Sequence, residues 1–195
     1  MLPPPLRAVA GTLRDLRAPW AIAGGWAIDL ALGRVTRPHA DVDVAVFRDA
    51  QEALRAALPA WEFAVVEGGA PRPWEPGAWL APPVHEVHAR PPAGVPGPAL
   101  EFLLNERDGA DWVYRRDPAV RLPLAQAVRE SGLGVWVLAP EIVLLYKSKA
   151  PRPADEHDFQ VARPLLDVEA RAWLRAALRR AAPDHPWADA LAPEG

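Results

Sequence analysis

Leu6, Val9, Leu13 and Leu16 recur at helical spacing, which predicts an amphipathic helix over residues 5–17, ended by Pro19. The short apolar run 20–23 leads into Gly24-Gly25, the pattern of a strand entering a tight turn. Residues 26–32 are helical in character, with Gly33 as the C-cap. Val42, Val44 and Val46 alternate with Asp41, Asp43 and Ala45, the period of a half-buried strand. Asp49 and Glu52 have the spacing of a capping box and open a helix that Leu54 and Leu58 continue. A further strand is expected at 61–66. Residues 67–83 hold eight Pro or Gly and are expected to form one long loop. Strands at 84–88 and 100–104 flank a turn-rich stretch at 91–98. Beyond them the pattern becomes helical at 124–130, 141–149, 158–163 and 169–182, with one strand at 135–138. The fold class is α+β: a mixed N-terminal part, residues 1–108, followed by a mostly helical part, residues 109–195.

Composition narrows the function classes. Half of the 195 residues are hydrophobic and 24% are charged, a globular balance. The 22 basic and 25 acidic residues leave a formal charge of −3, which disfavours broad binding to nucleic-acid backbone. With no cysteine there is no disulfide, thiolate nucleophile or Cys-ligated zinc. No apolar run reaches 18 residues and no signal-peptide pattern is visible, so no membrane partner and a cytoplasmic location are expected.

The chemistry concentrates in Gly24-Gly25 and Asp41-Val42-Asp43. Residues i and i+2 of a strand share a face, so Asp41 and Asp43 would stand side by side while the valines anchor the opposite face. Two aligned carboxylates repel one another unless a cation lies between them, and hard oxygen donors suit Mg²⁺. A lone D-x-D is more often a solvated strand face. Here a glycine pair precedes it at a helix N-terminus, where backbone N–H groups face an anion and no side chain blocks its approach. A phosphate cradle beside a metal-binding carboxylate pair is equipment for phosphoryl or nucleotidyl transfer.

The run GGWAIDLALGRVTRPHADVDVAV, residues 24–46, resembles the signature of the polymerase-β-like nucleotidyltransferases, and more narrowly the aminoglycoside 2″-adenylyltransferase group. Residues 135–159 are similar more loosely to a recurring pattern of small nucleotidyltransferases. The resemblance implies a nucleotidyltransferase-like mixed sheet with flanking helices, and transfer of AMP from ATP to a hydroxyl of a small molecule of the aminoglycoside type. It implies that Gly24 and Gly25 hold the triphosphate, that Asp41 and Asp43 bind Mg²⁺, and that a third carboxylate lies on a neighbouring strand as metal ligand or base. Glu101 is the candidate, facing away from Leu100, Phe102 and Leu104; Glu86 and Glu106 compete with it. Lys147, on a helix near the junction of the two parts, would offer a point charge to the triphosphate. Arg34 or Arg37 would reach phosphate oxygens.

Other residues carry weaker signals. Arg37 and His39 also suit pairing with Asp29. His85 and His88 point to opposite faces of a strand and do not make a shared metal site. Asp155 is an expected N-cap, and Asp158 an expected partner for a basic residue. Asp108, Asp111, Asp155, Glu156 and Asp158 are the acids from which a pocket for a cationic acceptor would be built. Trp74 and Trp79 in the Pro-rich stretch suit either the core or a wall against a sugar or base. Two further readings stay open: a toxin-like transferase acting on tRNA or protein, and a domain that binds nucleotide or a partner without turnover. Oligomeric state is not legible.

Overall fold

In the computed structural model, residues 1–67, 70–95 and 97–193 are described. The chain runs through helix α1 (Pro4–Thr12), strand β1 (Trp20–Ile22), helix α2 (Gly24–Leu32), strand β2 (Asp43–Phe47), helix α3 (Gln51–Ala57) and strands β3 (Glu62–Glu67), β4 (Ala70–Pro73), β5 (Glu86–Arg90) and β6 (Leu100–Asp108). Short strands β7 (Asp111–Val113) and β8 (Arg121–Pro123), one helical turn α4 (Leu124–Ala127), and strands β9 (Val128–Glu130) and β10 (Trp136–Leu138) follow. Helices α5 (Pro140–Lys147), α6 (Pro153–Ala162), α7 (Val168–Ala181) and α8 (Pro186–Ala190) complete it.

The sheet is mixed, in the order β4-β3-β5-β6-β2-β1-β10-β9, with β7 and β8 extending from the far end of β6. The pairs β1–β10 and β2–β6 are parallel and the others antiparallel. The architecture is therefore a mixed sheet with flanking helices and a helical C-terminal part. The sheet also draws on residues beyond 108, because Val137 of β10 pairs with Ile22 of β1.

The valines of β2 do what their period requires. Val44 and Val46 are buried, as are Phe102 and Leu104 beside them on β6. This face of the sheet packs into the core. The other face of the same two strands carries Asp43, Ala45 and Phe47 opposite Glu101, Leu103 and Asn105. Gly33 caps α2 in the left-handed conformation (φ 69°) and donates its N–H to Asp29 and Leu30 carbonyls.

Four expectations need correction. The stretch 67–83 is not all loop: β4 pairs antiparallel with β3, although its sequence is Ala-Pro-Arg-Pro, because an edge strand tolerates proline. Residues 68, 69 and 96 lie outside the described residues. The helix at 124–130 stops after one turn and becomes strand β9, since pairing with Trp136–Leu138 outweighs local propensity. Asp49 makes no cap; its carboxylate accepts from Arg107 of β6. Asp155 is the third residue of α6 rather than its N-cap, and its carboxylate reaches back to the Arg152 N–H at 3.0 Å. Among the described residues, no helix is long and apolar enough to cross a membrane.

Candidate active site

Helix α2 starts one residue after β1, so its N-terminus opens at the edge of the sheet beside the start of β2. Ala23 N–H donates to the Asp43 carbonyl at 2.9 Å, which fixes that junction. The glycine pair has two separate steric reasons. Gly24 has a left-handed φ of 57°, and a Cβ there would lie 1.8 Å from Asp43 Oδ2. At Gly25 a Cβ would lie 2.3 Å from the Arg37 guanidinium and 2.6 Å from the His39 ring. Each glycine lets a polar side chain lie against the first turn of α2.

The loop from α2 to β2 is organised by buried Asp29. Its carboxylate accepts from Thr36 N–H at 3.1 Å, Thr36 Oγ1 at 2.6 Å, and His39 Nε2 at 2.6 Å. His39 also packs on Trp26, and Trp26 Nε1 donates to the Asp41 carbonyl at 3.1 Å. The expected pairing of His39 with Asp29 is present. Arg37 goes elsewhere: Nε and an Nη each reach the carboxylate of Asp158 on α6 at 2.8 Å. Asp158 also meets Lys147 at 3.0 Å, and Lys147 meets Asp155 at 2.5 Å. Asp155 in turn accepts from Arg152. This chain of ion pairs ties the loop, the end of α5 and the start of α6 together. For Asp155 and Asp158 burial raises the carboxyl pKa, but hydrogen bonds from Arg152 and Lys147 to the first, and from Arg37 and Lys147 to the second, outweigh it and hold both below the ordinary carboxylate range.

On the face of the sheet opposite the β2 valines, where Asp43 and Glu101 are half-buried, the acids behave oppositely. Asp43 and Glu101 are register partners on parallel β2 and β6. His88 of β5 is the partner of Glu101 on its other side, and Glu86 lies two residues before it. Burial, then repulsion from Asp41, raises Asp43 to about 6 despite the nearby Lys147. Burial, then repulsion from Asp43 and Glu86, raises Glu101 to about 7. Asp41 precedes β2 rather than lying within it, and is exposed. Glu86 bonds His88 at 2.6 Å. A ligand atom from each of Glu86, His88 and Glu101 falls within 4.8 Å of the others.

A cleft of about 360 Å³ opens above Gly24, Asp43, Glu101 and Lys147, walled by Arg115, Arg116 and Arg152. Six of the residues weighed in the sequence thus meet there, His85 and Asp155 being the others, while Asp41 is not among those that line it. Gly25 faces Arg37 and His39 instead. Arg34 is exposed at the far end of α2, about 14 Å of helix away from Gly24, and does not meet the cleft. Glu106 is removed from competition, because it lies on the opposite face of β6 and bonds Arg48 at 2.6 Å. Lys147 is no free point charge but is clamped between two aspartates.

Arg115 and Arg116 were not distinguishable in the sequence from other surface arginines. Both lie over the ring of Tyr146, at 5.4 and 5.5 Å from its centroid. Arg115 forms no ion pair with a carboxylate among the described residues, and burial, then Arg116, pushes its pKa down. A guanidinium stays charged regardless. Only the register of β6 to β8 brings it over the sheet face. Trp74 is buried against Phe63 and Trp79 is exposed, so neither walls the cleft.

The sequence model of the aminoglycoside-2″-adenylyltransferase family matches residues 5–72, which include Gly24, Gly25, Asp41 and Asp43 and end before Glu101 and Lys147. A search of the curated proteins finds no match. Among solved structures the fold is similar to ANT(2″)-Ia in complex with adenylyl-2″-tobramycin, at a TM-score of 0.59 and 20% identity over 91% of this chain and 97% of that one. A solution structure of the antibiotic-resistance factor ANT(2″)-Ia gives a TM-score of 0.58 and 22% identity over 92% of this chain and 93% of that one. The lincosamide antibiotic adenylyltransferase LnuA, lincomycin-bound, gives a TM-score of 0.57 and 13% identity over 85% of this chain and 99% of that one. The family model thus matches the amino-terminal block of the chain, and these solved structures share its fold.

Proposed function

We propose that the chain transfers AMP from MgATP to a hydroxyl of a small, antibiotic-like molecule. The observation that carries this reading is the pairing of Asp43 with Glu101 on one sheet face, neither in an ion pair among the described residues, beneath a cleft walled by arginines. The donor set fits a divalent cation. It offers hard carboxylate oxygens, and Gly24 leaves room at Asp43 Oδ2 that any Cβ would fill. Asp41 and Asp43 would hold Mg²⁺, with Glu101 as the third carboxylate. Bound there, Mg²⁺ would neutralise triphosphate charge and favour in-line displacement at the α-phosphorus.

The remaining work falls to side chains of this protein. Glu101 accepts the proton of the acceptor hydroxyl as its oxygen bonds to the α-phosphorus. The bond from the α-phosphorus to the oxygen bridging the β-phosphate breaks, and pyrophosphate leaves. Arg115 and Arg116 face the polyphosphate as planar donors. Lys147, held by Asp155 and Asp158, contributes a fixed positive charge rather than a mobile one. The free N–H groups at the start of α2 add donors on the side of Gly24 and Gly25. In this reading residues 1–108 form the catalytic domain, while the connection between β7 and β8 and the N-terminal cap of α6 supply the cationic wall.

Calorimetry of MgATP binding to wild type and to the Asp41→Asn/Asp43→Asn double variant tests the site. Magnesium-dependent binding that the double variant loses supports it. Absence of nucleoside triphosphate binding by the wild type at millimolar concentration overturns it, leaving a folded domain that binds a partner instead.

A further inference from the structure

A second cavity, of about 720 Å³, lies on the same face of the sheet as Asp43 and Glu101. Phe47, Trp112, Trp136, Leu124, Val128 and Leu138 line it, and it shares Asn105 and Leu138 with the catalytic cleft. It begins where the carboxylates end. Ala45 and Leu103 lie two residues along β2 and β6 from Asp43 and Glu101, about 7 Å at strand rise. Phe47 and Asn105 lie two residues further on, about 13 Å from the carboxylate pair. The volume suits a drug-sized molecule.

The polar groups at its wall are already satisfied. Asn105 Nδ2 donates to the Leu103 carbonyl, and its Oδ1 accepts from Trp112 Nε1 at 2.9 Å. Arg107, the one charged residue among the described lining, is positive and bonds Asp49 at 2.7 Å. No carboxylate faces the cavity from the described residues. The acids from which a polycation pocket would be assembled lie outside this lining and already have partners, exposed ones in the case of Asp108 and Asp111. Asp108 and Asp111 pair with Arg121, Asp155 with Lys147 and Arg152, and Asp158 with Arg37 and Lys147. Glu156 accepts from Trp187 Nε1 at 2.9 Å. A polyamine sugar would find aromatic walls and Arg107 there, and no counter-charge.

Resting on the nucleotidyl-transfer reading, we propose that this cavity is the acceptor subsite, and that the acceptor is a hydroxylated molecule with an apolar body and at most one positive charge. The hydroxyl lies at Asp43 and Glu101 while the apolar part fills the space between Phe47, Trp112 and Trp136. The walls it shares with the catalytic cleft at Asn105 and Leu138, rather than apolarity alone, select this occupant over a second copy of the chain.

The test uses the full chain and separates binding from transfer. Lincomycin, n-hexyl β-D-glucoside and tobramycin are titrated calorimetrically into wild type, Ala125→Trp, which narrows the cavity from exposed α4, and Trp136→Ala, which removes a wall. Pyrophosphate release from MgATP is followed with each. At least one of the first two probes is expected to bind wild type, with affinity falling tenfold or more in Ala125→Trp and severalfold in Trp136→Ala, while MgATP binding is unchanged. If instead neither probe binds, or tobramycin is adenylylated with a KM that Ala125→Trp does not alter, the subsite proposal fails and the transfer reading stands. If a probe binds in this manner but no acceptor releases pyrophosphate, the transfer reading fails while the cavity remains an apolar ligand site. A dimer in light scattering that Trp136→Ala dissociates would give the cavity to a second copy and overturn the proposal. Thermal melts of both variants exclude misfolding, and each alone suffices to decide.

Discussion

Two groups of carboxylates lie either side of the cleft, built from the same residue types and opposite in electrostatic state. Asp155 and Asp158 on α6 are almost fully buried, yet Arg37, Lys147 and Arg152 hold them ionised. Asp43 and Glu101 on the sheet form no ion pair among the described residues, and each is pushed up first by burial and then by repulsion from neighbouring acids. The first group is complete within the chain and positions Arg37 and Lys147. The second forms no ion pair among the described residues, though Lys147, Arg152 and His88 moderate its repulsion, and such perturbed acids cluster at sites that bind a cation or substrate. A perturbed acid without an internal partner therefore marks the site more sharply than a buried one with partners.

The strongest way to break this contrast is to neutralise one member of each group. Asp43→Asn removes a proposed metal ligand and one source of repulsion together. Pyrophosphate release should fall by roughly a thousandfold or more, the several kcal/mol expected of a lost ligand carboxylate. Melting at pH 8 without metal should be unchanged or higher. A large drop in melting temperature would make Asp43 a structural residue. Glu101→Gln should lower kcat by about a hundredfold to ten-thousandfold, the range of general-base loss, with little effect on the KM for ATP. An unchanged kcat would return Glu86, two residues from the Glu101 partner His88, to candidacy. Asp158→Ala should do the reverse of Asp43→Asn. It strands Arg37, and urea unfolding should show a loss of about 3–5 kcal/mol.

Sequence and structure diverge in an instructive way over these two groups. The exposed group was legible because strand period fixes faces: alternating valines pointed Asp43 outward, and Leu100, Phe102 and Leu104 did the same for Glu101. Parallel pairing of β2 with β6 then had only to set their register. The buried group was legible only as parts. Asp158 suited some basic partner, but 121 residues separate it from Arg37, and no local pattern encodes that pairing. Arg34 and Arg37 looked alike in the loop, and only Asp29 gathering Thr36 and His39 turns Arg37 inward while Arg34 stays at the C-terminus of α2. Arg115 had no signal, because its place depends on the β6–β7–β8 extension. The edge strand β4 was hidden by its prolines for the same reason: pairing is a long-range property.

The smallest expected effect sharpens the comparison most, because the two groups contribute to stability with opposite dependence on pH. A carboxyl raised in the folded state favours folding below its unfolded pKa, and that contribution is lost as pH rises through the folded value. For Asp43 the window runs from 3.8 to about 6, and for Glu101 from 4.5 to about 7. Asp155 and Asp158, lowered in the folded state, contribute above the ordinary carboxylate range and lose that contribution only as the medium becomes more acidic. Metal-free protein should therefore be most stable near pH 4, losing on the order of 1–2 kcal/mol by pH 8, after allowance for solvent screening of the partly exposed Glu101. Charged neighbours on every side enter this balance: Asp41 and Glu86 deepen the loss, and Lys147, Arg152 and His88 moderate it. Millimolar Mg²⁺ should raise the melting temperature at pH 8 and leave it nearly unchanged at pH 5, where the carboxyls are largely protonated. Asp43→Asn should flatten the alkaline limb and remove the magnesium response, while the acid limb, which belongs to Asp155 and Asp158, remains. An alkaline limb that persists in Asp43→Asn and Glu101→Gln alike would place the repulsion elsewhere, and with it the cation site.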